Sequence, residues 1–346
     1  MPVLDKSNSA AVEKYLEFVR SHTNRTLTQD PDWSEVKWDW GSEQVYLEED
    51  GQIIAAMSLL VKKVPFFGAL LYAPRGPVAE NADPVLVRKI VIEAQPLVKK
   101  YKAFALKFDP ETPYSSELEK EYEQAGFVVR NKGAKKDALI QPRYNMVLHF
   151  EDHDQESIMQ KFSGKIRNRI RSAAKKGVYA EHGRSDQFLE TFYEIYLEMS
   201  ERNRLTPRSY EYFLKMREAF PGLRVYLAKH EEDTLSAGVT INYYGKLYYL
   251  YAGSRDKKRN LGPNQFLNYE MIRWGIEEGA EQYDFGGVIA PDKSDGLYEF
   301  KIGFCHKDGM TEYIGEIDQV YKKFSYYAFT HLVPKIQRLR IILTRK

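Results

Sequence analysis

The stretch 295-DGLYEFKIGFCHKDG-309 sets a lysine, Lys301, between Phe300 and Phe304, just beyond the two glycines of 283-YDFGGV-288. A cation held against apolar walls can stabilise the negative charge that develops on a carbonyl oxygen during acyl transfer. A cation on the water side of a strand cannot. Read as a strand, the segment puts Phe300, Ile302 and Phe304 on one face and Lys301 on the other. Alternation alone therefore assigns Lys301 to solvent. Tyr249 and Tyr251, two apart on a second strand-like run, share a face by the same rule and could aim both hydroxyls into one cleft. The run 161-KFSGKIRNRIRSAAKKG-177 carries seven Lys and Arg and no acid. It suits an anionic partner such as RNA, phosphates or an acidic membrane face, or is simply a solvated helix face.

Other chemistries fail for want of residues. The seven histidines are scattered and form no HExxH pair. His149 and His153 could ligate a metal, but they sit at a strand-to-loop junction, and no metal site is expected. There is no GxSxG elbow and no Walker loop. The single cysteine, Cys305, excludes an internal disulfide or CxxC site and reads as a buried, inert thiol. The N-terminus lacks the pattern of a signal peptide, and no apolar run approaches the ~20 residues of a membrane span. A cytoplasmic protein is expected, and a monomer.

The elements that must position these residues come from a chain of 346 residues, 43% hydrophobic and 29% charged, which is globular composition with a prior of about two domains. An internal repeat gives that prior content. The segments 44-QVYLEEDGQIIAAMSLLVKKVPFFGALLYAPRGP-77 and 224-RVYLAKHEEDTLSAGVTINYYGKLYYLYAGSRDK-257 each read as three strands, the third ending in Tyr-Ala. Each is followed by helical periodicity, over 83–101 and 264–282, and then by a strand, 103-AFALKFDP-110 and 282-QYDFGGV-288. A β-β-β-α-β unit thus occurs twice. The predicted fold is α+β, with two tandem N-acyltransferase-like (GNAT-like) domains and no coiled-coil insertion. The predicted domains are 1–144 together with about 313–346, and 145–312. Asp30-Pro31 is predicted to open a helix reaching Trp40.

In coenzyme A-dependent members of that fold, a loop of pattern Arg/Gln-x-x-Gly-x-Gly/Ala cradles pyrophosphate at a helix N-terminus. Here the loop reads 259-RNLGPNQF-266. Asn264 replaces the second small residue and Pro263 removes a donor, so a different acyl donor is expected.

Taken in order, 28-TQDPDWSEVKWDW-40, 106-LKFDPE-111, 141-QPRYNMVL-148, 202-RNRLTPRSYEYF-213, 249-YLYAGS-254, 283-YDFGGV-288 and 296-GLYEFKIGF-304 resemble the Fem family of aminoacyltransferases (FemABX), closest to its short, FemX-like members. The resemblance runs from near the N-terminus to about Asp318. It implies transfer of an amino acid from aminoacyl-tRNA, as co-substrate and without a cofactor, onto the side-chain amine of a peptidoglycan stem peptide. The acceptor would be UDP-MurNAc-pentapeptide or its lipid-linked form. Alternatives are a coenzyme A-dependent N-acyltransferase, disfavoured by Asn264, and a non-catalytic tRNA- or membrane-binding relative, disfavoured by intact Lys37, Arg208 and Lys301.

The resemblance also implies roles. Lys301 would stabilise the oxyanion or the tRNA 3′ end, and Asp109 would act as general base. Lys37 and Arg208 would hold the nucleotide substrate, with Tyr212, Tyr249, Tyr251 and Phe300 beside it. Phe104 stands where the family carries a substrate-contacting tyrosine. The basic helix with Lys165, Arg167, Arg169 and Arg171 is a candidate tRNA-backbone contact. The basic amphipathic segment 332-LVPKIQRLRIILTRK-346 could lie on an anionic membrane. From Lys322 onward the tail is +7, so within a net charge of +2 the remainder is −5.

Overall fold

Proline and capping side chains mark where the repeat's helices begin. Asp83 accepts hydrogen bonds from the N–H groups of Val85 and Leu86, and Pro84 occupies the first helical turn. Pro263 does the same in the second copy, after Gly262 in the left-handed conformation at φ 75°. The computed structural model describes residues 3–130, 139–151 and 154–332. His153, and the segment 332–346 apart from the backbone of Leu332, lie outside the described residues. The chain divides into two compact units, 1–141 with 313–346, and 142–312. The break falls after Gln141, ahead of the predicted 144, because the strand starting at Tyr144 belongs wholly to the second sheet.

In chain order, the first unit contains α1 (Ser9–Ser21), α2 (Trp33–Val36), β1 (Gly41–Glu49), β2 (Gln52–Val64), β3 (Gly68–Ala73), β4 (Val78–Ala79), α3 (Pro84–Glu93), α4 (Gln95–Tyr101), β5 (Ala103–Phe108), α5 (Ser116–Gln124) and β6 (Val128–Arg130). The second unit contains β7 (Tyr144–His149), α6 (Gly164–Lys175), β8 (Tyr179–Gly183), α7 (Asp186–Arg202), α8 (Tyr210–Ala219), β9 (Leu223–His230), β10 (Asp233–Tyr243), β11 (Lys246–Ser254), α9 (Pro263–Glu277), β12 (Gln282–Val288), α10 (Gly296–Phe304) and β13 (Thr311–Glu312). The chain then returns to the first unit with β14 (Glu316–Val320) and α11 (Lys323–Tyr327).

The first sheet runs β1-β2-β3-β5-β14-β6, with β4 on β2; the second runs β13-β7-β12-β11-β10-β9-β8. In each, three antiparallel strands are followed by helix and a parallel strand, so β1-β2-β3-α3/α4-β5 and β9-β10-β11-α9-β12 are the two copies of the repeat. The single helix predicted over 83–101 is two, α3 and α4, meeting at Ala94. Pro96 lacks an N–H and its ring crowds the carbonyl four residues back.

Side chains of α3, α4 and α5, among them Val87, Ile90, Leu97 and Tyr122, bury Leu59, Leu71 and Leu106 on one face of the first sheet. In the second unit, Ile166 and Ile170 of α6, Met271 of α9 and Phe304 of α10 cover Leu247, Tyr283 and Phe285. α7 crosses the other face so closely that a Cβ on Gly253 would lie 2.8 Å from the Ile195 carbonyl oxygen.

Candidate active site

The segment around Lys301 is a helix, not the strand that alternation suggested. The carboxylate of Asp295 accepts the Leu297 N–H at 2.8 Å and starts α10. Phe300 and Phe304, four apart, then meet edge-on along it with ring centroids 5.3 Å apart. On a helix, residues 301 and 304 share a side, so Lys301 goes inward with Phe304, and Phe300 is left half-buried. Gly303 permits the close docking: a Cβ there would sit 2.7 Å from Ile166 Cγ1, and the Ser163 N–H donates to the Gly303 carbonyl at 2.7 Å. The basic helix α6 therefore starts against the helix that carries Lys301.

Lys301 is only 7% exposed, and its Nζ donates to the Gly287 carbonyl oxygen at 2.8 Å. Burial pulls its pKa down to about 8, against the opposing attraction of Asp284. Asp284 is fixed in turn: its Oδ1 accepts from Asn145 Nδ2 at 3.0 Å and from the Gly286 N–H at 2.7 Å. Glycine is required at both positions of the pair. Gly286 has φ 70°, and a Cβ on Gly287 would overlap the Pro142 ring at 2.1 Å.

The strands beside this lysine separate. β11 and β12 pair in parallel only at Lys246↔Gln282, Leu247↔Tyr283 and Tyr248↔Asp284. A bulge at Leu250 on β11 and an irregularity between Asp284 and Gly287 on β12 end the ladder. The Leu250 bulge also overturns the shared face predicted for Tyr249 and Tyr251, because one extra residue reverses the alternation. Tyr249 packs on the α9 side, its ring 6.0 Å from Tyr283 and 6.3 Å from Phe285, and burial pushes its hydroxyl up to about 12. Tyr251 faces α7 and α8, donating to the Tyr212 hydroxyl at 3.1 Å and packing edge-on against Phe213 at 5.0 Å.

Arg208 joins that second group. It is exposed, in the loop before α8, with its guanidinium 5.3 Å from the centroid of Tyr212, which is buried. Its N–H donates to the Tyr196 hydroxyl at 3.2 Å and its carbonyl accepts from Tyr193 at 3.3 Å, so the loop is pinned at both ends of one residue. On α6, Ile166, Ile170 and Ala173 turn inward, while Lys165, Arg169 and Arg171 are exposed. Arg167 is half-buried and donates to the Phe162 carbonyl at 2.9 Å. The Arg169 backbone oxygen comes within 3.6 Å of where a Gly262 Cβ would be, bringing α6 against the start of α9.

In the first unit, Asp109 follows β5 and is 2% exposed. Its carboxylate accepts from the Tyr72 hydroxyl at 2.7 Å and the Arg75 N–H at 2.6 Å. Burial pushes its pKa up to about 6, and the Arg75 charge and these two donors hold it from going higher. Lys37 closes the C-terminus of α2, half-buried, with Nζ 5.6 Å from the Trp33 ring centroid. The helix predicted to reach Trp40 has only four residues, Trp33–Val36. The backbone leaves helical geometry at Lys37 and turns into β1 at Gly41, where a Cβ would press on Val61. Phe104 is buried against Phe329, centroids 5.1 Å apart.

A further charged cluster escaped the sequence reading. Lys107 Nζ lies 2.5 Å from Glu316 Oε2 and 2.8 Å from Asp318 Oδ1, and the Tyr326 hydroxyl donates to Asp318 at 2.6 Å. All three charged groups are buried. Spacing two was the available signal: Lys107 on β5 and Asp109 just beyond it are two apart, as Glu316 and Asp318 are on β14, and Asp318 pairs with Lys107 in register. Cys305 is buried, which raises its thiol well above the usual range. Among the described residues no group of three or more His, Cys, Asp or Glu could hold a metal.

A buried lysine beside an opened pair of parallel strands, within a doubled N-acyltransferase-like sheet, narrows the relatives to compare. Residues 11–229 match the FemAB family, and residues 160–301 match the GNAT acetyltransferase domain. The chain belongs to the FemAB family. Over 92% of its length, and 96% of the relative's, it is 38% identical to the UDP-N-acetylmuramoylpentapeptide-lysine N(6)-alanyltransferase of Weissella viridescens. It is 26% identical to the lipid II:glycine glycyltransferase of Staphylococcus haemolyticus, over 95% of this chain and 96% of that one. The crystal structure of FemX superposes with a TM-score of 0.84 at 24% identity, covering 96% of this FemAB chain and all of the other. That likeness shows the fold. The longest helix among the described residues is α7, at 17 residues, so they contain no coiled-coil insertion.

Proposed function

We propose that this FemAB protein transfers an amino acid from an aminoacyl-tRNA to the side-chain amine of a peptidoglycan stem peptide, as a step of cross-bridge formation. The observation that carries the reading is Lys301, a buried lysine at the point where β11 and β12 part. The names of the two enzyme relatives, one acting on a nucleotide-linked pentapeptide and one on lipid II, support the acceptor class. The donor is inferred from the chemistry. The loop before α9 offers Pro263 where a pyrophosphate would need an N–H, whereas α6 presents exposed cations that suit an RNA backbone.

The acceptor amine attacks the ester carbonyl of the aminoacyl group. A C–N bond forms, the C–O bond to the ribose breaks, and the ribose hydroxyl leaves with a proton. The proton that the amine gives up is the one the ribose oxygen takes, and Asp109 in its carboxylate form is the proposed carrier between them. With a pKa of about 8, Lys301 is mainly charged at neutral pH. It is the proposed partner of the developing oxyanion, a role worth on the order of 3 kcal/mol. Lys37 and Arg208 suit the diphosphate and carboxylates of the acceptor, with Tyr212, Tyr251 and Phe300 as further contacts. Tyr249, stacked on the α9 side, is proposed only as a wall of the opened strand pair. Ester aminolysis needs no cofactor.

The test combines the protein with UDP-MurNAc-pentapeptide or its lipid-linked form, tRNA, a synthetase and Ala, Ser or Gly. The expected product is heavier by one amino-acid residue. Absence of product from both acceptors with all three amino acids overturns the proposal.

A further inference from the structure

The β2–β3 hairpin of the first unit does something unusual at its tip. Phe66 is fully exposed (104%), and its backbone is left-handed at φ 68°. Gly or Asn fits that conformation with less strain than a bulky aromatic residue. Its neighbours are well placed in the fold. Val64 and Phe67 pack with Trp40, Tyr326 and Phe329 around Leu70, Tyr72 and Phe104. The Phe66 ring is left outside, beside the exposed Pro65. α11 repeats the pattern: Tyr326 is tucked in, while Phe324 is 79% exposed and Tyr327 is 59% exposed.

These aromatics lie at one end of the unit, and the end is basic. A Cβ on Gly68 would clash with the Lys102 carbonyl and lie 3.6 Å from Lys322 Nζ, and Lys322 donates to that same carbonyl at 2.6 Å. The hairpin tip, the α4–β5 turn and the start of α11 therefore meet. The segments 54–79, 94–108 and 319–346 contain no Asp or Glu. Lys62 and Lys100 are paired, with Asp39 and Glu43. Lys63, Lys99, Lys102, Lys322 and Lys323 are exposed and make no ion pair with an acid among the described residues.

We propose that this end of the first unit, Phe66, Phe324 and Tyr327 ringed by lysines, rests on an anionic lipid surface. The exposed Phe66 and Phe324 rings can enter the headgroup region, and so can the outward side of Tyr327, whose other side stacks on His331 at 4.5 Å. Lysines reach anionic headgroups while their stems stay against apolar material. An RNA partner is less well matched, because among the described residues the exposed cations of this end are all lysines, without an arginine to stack on or grip a base. A lipid-docked first unit would bring the protein to the surface where a lipid-linked acceptor is held, but the docking does not depend on the reaction.

Flotation of the full chain with phosphatidylglycerol–phosphatidylcholine vesicles, against phosphatidylcholine alone, tests the surface. Binding is expected only to the anionic vesicles, and weaker in high salt. Combining Phe66→Asn with Phe324→Ser is expected to weaken vesicle binding about tenfold, roughly the loss of one buried aromatic ring. The double variant should melt no lower than the parent and transfer normally to a soluble acceptor. Three outcomes overturn the proposal. The parent chain may float with neither vesicle. The double variant may bind vesicles as the parent does, which would put the attraction elsewhere on the chain. Or it may lose tRNA affinity or self-association instead, which would make the face an RNA or protein interface. Flotation is read without any transfer step, so a failed transfer assay leaves its answer standing.

Discussion

The two copies of the β-β-β-α-β repeat differ most in their parallel strand pair. In the first, β3 and β5 stay in register from Leu70↔Ala105 to Ala73↔Phe108, and the irregularity lies at the start, between Ala69 and Leu70. In the second, β11 and β12 keep three partner pairs and then part, with irregularities at Leu250 and after Asp284. A bulge early in a strand shifts its register and leaves the ladder intact beyond it. Late bulges on both strands end the ladder and leave unpaired backbone for a ligand. The charged groups follow suit. The zipped sheet carries Lys107, Glu316 and Asp318 as a closed ion cluster. The opened one leaves Lys301 donating to a backbone carbonyl, that of Gly287, with no carboxylate in ion-pair range among the described residues. The same architecture thus supplies one unit with a continuous parallel pair and one with a parted pair beside a buried lysine.

The hardest blow to that contrast would come from Lys301→Ala. We expect kcat to fall by about 10²–10³ with acceptor affinity little changed, as for loss of one oxyanion donor. Single-turnover transfer and acceptor titration measure the two separately. Near-normal transfer would remove the opened unit from the reaction. Asp109→Asn in the zipped unit is expected to cost about 10²-fold, as for a lost general base. The pH profile fixes the signs. Asp109 must be ionised to take a proton, so kcat/KM should rise through about pH 6. Lys301 must be charged, so it should fall above about pH 8. The Asn variant should lose the acid limb and keep the alkaline one. A profile that climbs through pH 8 would make Lys301 a base rather than a fixed cation.

Much of the repeat was readable because strand spacing, proline and acidic caps are local signals. Asp83-Pro84 and Pro263 mark their helices within a residue or two. At Tyr249, Tyr251 and Lys301 the sequence misleads for one reason: a period of two can be changed by a single residue. Leu250 is an extra residue on β11, and nothing in its side chain announces a bulge, so Tyr249 and Tyr251 were put on one face. The nine residues GLYEFKIGF fit a strand or a helix, and the deciding signal, Asp295 as a cap, is a single side chain. Lys301 looked solvated for that reason. The cluster of Lys107, Glu316 and Asp318 needs residues some 210 positions apart, and pairing at that range depends on the C-terminal strand returning to the first sheet.

The glycines at the opened end allow a smaller test. Gly286 has φ 70°, and an added Cβ would lie 3.7 Å from Lys301 Nζ. Gly286→Ala is expected to destabilise the protein by about 1–2 kcal/mol through the left-handed backbone, lowering the melting temperature by a few degrees. Because the new methyl crowds the amine without removing it, transfer should fall less than for Lys301→Ala. An unchanged melting temperature would mean that β12 can bend another way, and that the glycine does not set the opening.

The smallest effects should separate two tyrosines at matching ends of the repeat. Tyr72 closes β3 and donates to the buried carboxylate of Asp109. Tyr251 stands at the same place on β11 and donates to a neutral phenol, Tyr212. A bond to an ionised group is the stronger, and it favours the charged form. Tyr72→Phe should therefore raise the Asp109 pKa and move the acid limb of kcat/KM upward from about pH 6. Tyr251→Phe removes about 1 kcal/mol of neutral hydrogen bonding and should leave that limb in place, raising the acceptor KM a few-fold. If Tyr251→Phe moves the limb as far as Tyr72→Phe does, the two units do not divide the work between holding a proton site and lining a substrate, and the contrast drawn from their strand pairs fails at its most sensitive point.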